Sequence, residues 1–166
     1  CIYCEVGYNC MRRPTLPRPS RELIAERLEA KLKEMHTAGA KLDVITFSGN
    51  GEPTTHPDFL HIIEDTIRLR NAYYPEAKVS VLTNSTLAHR PDVHRALLIA
   101  DNNIMKLDTV DPAYINKVDR PTQPSYNVEN IVKEMASFNG HCIVQTMFMH
   151  GTDDNGESVD NTSDGF

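Results

Sequence analysis

At 166 residues, with 40% hydrophobic and 24% charged side chains, the chain is long enough for one domain with its own core and too apolar for a disordered polypeptide. Its net charge of −6 argues against a broad nucleic-acid-binding face. No apolar run approaches the roughly 20 residues that a membrane helix needs, and a cytoplasmic location with no membrane partner is the expectation. Four cysteines at uneven spacing do not make the pattern of a small secreted disulfide scaffold, so a Cys-x2-Cys pair points to metal or redox chemistry.

That pair, Cys1-Ile2-Tyr3-Cys4, opens the chain. Residues 11–20 hold Pro14, Pro17 and Pro19 and read as a connector, since proline removes a donor and breaks regular structure. The cluster Met11-Arg12-Arg13, with Arg18 and Arg21, reads as a solvated basic loop or a local phosphate contact. A helix follows, with Ser20 as N-cap, Leu23, Ile24, Leu28, Leu32 and Met35 at helical spacing, and Gly39 as its stop. Val44-Ile45-Thr46-Phe47 is a short β-rich run whose density suits a strand buried on both faces. Pro57 starts a second helix carrying Phe59, Leu60, Ile63, Ile67 and Leu69. Beyond it the pattern predicts strand over 79–82, helix over 91–100, strand over 104–107, helix over 127–138 closed by Gly140, and strand over 142–149. Residues 150–166 are polar and acidic and read as a loop or a frayed end.

Strands alternating with helices of ten or more residues imply βαβ units, and therefore a parallel sheet with right-handed crossovers. The fold class is α/β. Four strands alone fit either part of a (β/α) barrel or an open doubly wound sheet.

Several groups in this frame can carry chemistry. Cys1 and Cys4 taken alone suit a redox pair or part of a zinc site with Cys10. Gly49-Asn50-Gly51-Glu52-Pro53 follows a strand at its C-terminal end, where (β/α) barrels place their sites. Glycines there permit close backbone approach, and Glu52 offers an acceptor for an ammonium group. Asn84 lies at the end of the next strand. Lys106 and Asp108 are two apart, so on a strand they face one way, inward if Met105 and Leu107 face the helices. They make either an internal ion pair or a ligand contact. Gln145, inside an apolar run, is a cavity-facing contact or a core amide.

The Cys-Ile-Tyr-Cys-Glu opening and the Ser48-Gly49-Asn50-Gly51-Glu52-Pro53-Thr54 loop together resemble the radical S-adenosylmethionine (SAM) superfamily. That family writes its cluster loop as Cys-x3-Cys-x2-Cys with an aromatic before the last cysteine, and its cofactor loop as Gly-Gly-Glu-Pro. The resemblance runs from Cys1 to about Asn161 and is nearest to the wyosine-type transfer-RNA-modifying and molybdopterin-synthesis branches. It implies that Cys1 and Cys4 are metal ligands for a four-iron four-sulfur cluster, with Tyr3 near the adenine. It implies that Gly49, Asn50, Gly51 and Glu52 clasp the methionine end of SAM, and that Asn84, Lys106 and Asp108 lie around the ribose and carboxylate. The open iron left by three thiolates is what chelates SAM. The implied enzyme, of oxidoreductase or lyase type, takes one electron from a flavodoxin- or ferredoxin-type reductant. It cleaves SAM to a 5′-deoxyadenosyl radical that acts on an unknown small molecule, peptide or transfer RNA. By the same resemblance these are strands two to five of a six-stranded TIM-like partial barrel. Residues 1–166 would then be a truncated core domain, with cluster loop and connector in 1–19 and βα repeats in 20–149, and with the first cluster cysteine four residues upstream of Cys1. The alternatives are a non-catalytic zinc or metal module and an inactive fragment of the enzyme.

Overall fold

The computed structural model describes residues 1–4, 17–49 and 51–162. Cys10, the Met11-Arg12-Arg13 cluster and Asn50, all singled out above, lie outside the described residues.

Helix α1 spans Arg21–Thr37 and starts as its sequence predicts: the Ser20 hydroxyl accepts the Leu23 N–H at 3.3 Å, and Gly39, at φ +67°, supplies the left-handed turn that ends it. Strand β1 is Val44–Phe47. A 3-10 turn at Pro53–Thr55 then leads to α2, Phe59–Tyr73, so Pro57 stands before this helix rather than in its first turn. Strand β2 (Lys78–Thr83), helix α3 (Pro91–Ile99) and strand β3 (Asn102–Lys106) follow. A short helix α4, Pro112–Tyr114, widens into a π-turn over Ile115–Asp119. Helix α5 spans Val128–Ser137, capped by the Asn127 side chain accepting the Asn130 N–H at 3.0 Å. Strand β4 is Ile143–Gln145, and β5 (His150–Thr152) pairs with β6 (Ser158–Asp160).

Strands β1 to β4 form one parallel sheet in the order β1-β2-β3-β4. Sequential order without reversal is that of a barrel segment; a doubly wound sheet reverses direction at a switch point. The fold is thus α/β and consistent with a partial TIM-like barrel. Register puts Phe47, Val81 and Asn103 on one face, and Met105 with them. Against that face pack Phe59 and Ile63 of α2, Val93, Ala96 and Leu97 of α3, and Ile131 and Met135 of α5. Each fully buried Val, Leu, Ile or Phe there contributes about 1.5–3 kcal/mol. Arg70 on α2 and Asp101 before β3 close the opposite end of this layer with an ion pair of 2.9 Å.

Three expectations are corrected. β1 is not buried on both faces: it is an outer strand of the four, and Val44 is 42% exposed. The predicted strand over 142–149 forms ladder only at Ile143–Gln145, again as an outer strand, with Ile143 and Val144 half exposed. Residues 150–160, read as loop, form the antiparallel β5–β6 hairpin. Its Val159 is buried with Tyr114 and Val118, against Ile2, Tyr3 and Met149. Asn161 fixes it further, donating to the carbonyls of Asp108 and Met147 at 2.9 Å each and accepting the Met149 N–H at 2.7 Å.

Candidate functional site

Cys1 to Cys4 form a tight turn in which the Cys4 N–H donates to the Cys1 carbonyl at 3.2 Å. The turn is held from beneath. The Ile2 N–H donates to the Val118 carbonyl at 2.8 Å, Ile2 and Tyr3 pack on the Tyr114–Val118–Val159 cluster, and the Tyr3 hydroxyl donates to Asp108 Oδ2. Both thiols are free, Cys1 half-buried and Cys4 exposed.

Lys106, at the end of β3, reaches this turn. Its Nζ donates to Cys1 Sγ at 2.9 Å, sits 4.1 Å from the Tyr3 ring centroid, and pairs with Asp108 Oδ2 at 3.2 Å and Asp119 Oδ1 at 3.8 Å. The expected inward Lys–Asp arrangement is present, with Met105 and Leu107 on the apolar side. Asp108, however, has a side chain of 0% exposure whose oxygens accept from the Tyr3 hydroxyl and, at 3.0 Å, from the Met147 N–H, and pair with the Lys106 ammonium. It holds the cysteine turn and the segment after β4. Asp119 was not foreseen. Burial, and then the neighbouring Asp108 carboxyl, push its pKa up to about 7, against the pull of Lys106.

The glycine-glutamate loop stands at the same end of the sheet. Gly49 and Gly51 have φ of +123° and +107°, values that a side chain resists, and a Cβ on either would meet open space. Conformation rather than crowding requires glycine at both positions. Glu52 turns toward β2. Its Oε1 accepts from the Thr54 N–H at 3.2 Å, the Thr54 hydroxyl at 2.7 Å and the Thr83 hydroxyl at 2.7 Å, while Oε2 accepts the Asn84 N–H at 2.7 Å. Oε1 is saturated; Oε2 keeps capacity for one more donor. Asn84 is exposed, its Oδ1 taken by Thr86 in a local turn at 3.1 and 2.7 Å.

The two loops are joined. Thr83 donates to Glu52 and accepts the Ser85 N–H at 3.1 Å, the Ser85 hydroxyl donates to the Lys106 carbonyl at 3.2 Å, and Lys106 donates to Cys1. Cys1, Tyr3, Lys106 and Asp108 are thus gathered at one point, and Gly49, Gly51, Glu52 and Asn84 at the other end of this chain of contacts. Gln145 shares its strand face with Lys106 by register but is exposed. Ser85, Asp119 and Asn161 escaped the sequence reading, because single polar residues in loops carry no periodic signal. Arg18 and Arg21 are used within the fold, on the Thr55 carbonyl and on Asp65. Among the described residues no group of three or more His, Cys, Asp or Glu side chains could hold a metal ion, and no helix is long and apolar enough to cross a membrane.

The family model of the Radical SAM superfamily matches residues 1–162. The chain is 26% identical over 162 residues to a UPF0026 protein of Helicobacter pylori, covering 96% of this chain and 50% of that protein. It is 28% identical over 171 residues to a UPF0026 protein of Methanocaldococcus jannaschii, covering 99% of this chain and 50% of the relative. A protein named GTPase Obg from Brachyspira hyodysenteriae is 24% identical over 163 residues, which is 96% of this chain and 23% of that protein. The chain spans about half the length of the UPF0026 relatives it matches.

Proposed function

The chain belongs to the radical SAM superfamily, and from that premise we propose that it is the core of an enzyme that cleaves SAM reductively at a four-iron four-sulfur cluster ligated in part by Cys1 and Cys4. The observation that carries this is the run of hydrogen bonds from Glu52 through Thr83, Ser85 and Lys106 to Cys1, which ties the cysteine turn to the glycine-glutamate loop.

The described residues supply part of the donor set such a group needs. Two thiols on one turn, neither in a disulfide, suit iron–sulfur ligation, and Lys106 donates to one of them at 2.9 Å. When bound, the cluster and SAM supply a one-electron reduction that breaks a carbon–sulfur bond to give methionine and a 5′-deoxyadenosyl radical; such hard chemistry belongs to cofactors, and the protein orients them. The chain's own residues do the rest. Oε2 of Glu52 takes the methionine ammonium in its remaining acceptor direction, and Gly49 and Gly51 let the backbone approach. Tyr3, fixed by Asp108, offers its ring toward the adenine. The exposed Asn84 amide stands ready for the ribose or carboxylate. Asp108 and Asp119 keep Lys106 in place. The electron comes from a flavodoxin- or ferredoxin-type donor.

Anaerobic incubation of the reconstituted full-length protein with SAM and dithionite tests this. It should release 5′-deoxyadenosine and methionine, and the Cys1→Ala and Cys4→Ala variants should release none. A wild-type protein that leaves SAM intact, or a variant as active as wild type, overturns the assignment.

A further inference from the structure

Lys106 is committed to the cysteine turn. Its ammonium has three N–H groups, and the groups around it are the Cys1 sulfur at 2.9 Å, Asp108 at 3.2 Å and Asp119 at 3.8 Å, with the Tyr3 ring 4.1 Å away. Its side chain is 23% exposed, and its backbone is held by the β3–β4 register and by the Ser85 hydroxyl on its carbonyl. A lysine so tethered is not free to swing to the carboxylate or ribose of a ligand at the glycine-glutamate loop. We propose that Lys106 acts through the Cys1 sulfur, its charged hydrogen bond raising the reduction potential of the cluster that Cys1 ligates.

The physical reason is charge. Reduction adds one electron to the cluster and its thiolates, and a cation hydrogen-bonded to a ligand sulfur favours the more negative form. Hydrogen bonds to the sulfurs are among the determinants of iron–sulfur potentials. Asp108 and Asp119 have a supporting part: they aim the ammonium at Cys1. The inference rests on the cluster assignment made above, and concerns one residue that acts on the cluster without ligating it.

The test uses the full-length protein, reconstituted anaerobically, as wild type, Lys106→Met, Lys106→Gln and Lys106→Arg. Iron, sulfide and circular dichroism establish that each holds its cluster and fold; a redox titration followed by electron paramagnetic resonance gives the midpoint potential. Lys106→Met should shift the midpoint to more negative values, by an amount equal to about a tenfold loss of reduced cluster at fixed poise, or about 59 mV for one electron. Lys106→Gln should fall between, and Lys106→Arg should lie near wild type. In wild type labelled with [15N]lysine, the reduced cluster should show a 15N hyperfine coupling by electron–nuclear double resonance, a reading that does not depend on any variant folding. An unchanged midpoint in a cluster-loaded Lys106→Met protein, or no 15N coupling in wild type, overturns the inference while leaving the cluster assignment standing. A wild type that holds no cluster overturns both.

Discussion

Glu52 accepts the backbone N–H of Asn84 at 2.7 Å, so the loop after β1 is clamped to the end of β2 by the very carboxylate proposed to receive the methionine ammonium. Binding and architecture share one side chain. Glu52→Ala leaves the hydroxyls of Thr54 and Thr83 and two backbone N–H groups without their acceptor. Glu52→Gln restores an acceptor for the threonines but sets an amide donor against one of the remaining N–H groups. Calorimetry should find SAM affinity down about tenfold or more in both variants, since a charge-assisted hydrogen bond is worth roughly 1.5–3 kcal/mol. Urea unfolding should find both less stable, Ala more so than Gln. Unchanged SAM affinity removes Glu52 from the binding site.

Tyr3 donates to a carboxylate with no exposure to solvent. Tyr3→Phe keeps the ring beneath Lys106 and deletes only the donor, so Asp108 must compensate from buried surroundings. The expected cost is about 1–3 kcal/mol of unfolding free energy, with the cluster retained. A melting temperature equal to wild type contradicts the buried hydrogen bond.

Asp101 gives the pH dependence. Burial works against its ionisation, but the Val79 N–H at 2.8 Å and the Arg70 guanidinium at 2.9 Å hold its pKa below the ordinary aspartate range. For an acid depressed on folding, the unfolded chain binds protons first as pH falls. The stabilisation is therefore complete above about pH 4 and is lost as pH drops below that value through the folded pKa. Asp101→Asn should be less stable than wild type at pH 7, and the gap should narrow below pH 4. A gap that is constant from pH 7 to pH 3 contradicts the ionised pair.

Much of the fold was legible in the sequence, for reasons particular residues make plain. Ser20, Asn127 and Gly39 mark helix ends by local chemistry, and the alternation of apolar strands with amphipathic helices dictates a parallel sheet. What escaped depends on tertiary context. Strand β1 is as apolar as a central strand but lies at the outside of the described sheet, and composition carries no strand order. The β5–β6 hairpin was hidden because its anchors are two residues, Val159 and Asn161, in an acidic stretch. At the site, glycines at positive φ and the Lys106–Asp108 alternation were readable. That Asp108 is sealed and Asp119 beside it is not a surface acid could come only from packing.

The hairpin makes its own prediction. Asn161→Ala removes two donors from the Asp108 and Met147 carbonyls and the acceptor of the Met149 N–H. Amide hydrogen exchange should accelerate over residues 147–160, and over the Cys1–Cys4 turn that packs on the hairpin, while the β2–β3 amides stay protected. Equal exchange rates in the variant and wild type would show that Asn161 does not anchor the hairpin.

The central claim is that Cys1 and Cys4 hold an iron–sulfur cluster beside a SAM site. Its most direct test is the metal content and low-temperature electron paramagnetic resonance spectrum of the anaerobically reconstituted full-length protein, reduced with dithionite and read before and after addition of SAM. The account predicts about four iron and four sulfide per chain at this site, a reduced-cluster signal that changes when SAM is added, and loss of both iron and signal in Cys1→Ala and in Cys4→Ala. Zinc in place of iron, or a cluster whose signal SAM does not perturb, would contradict it.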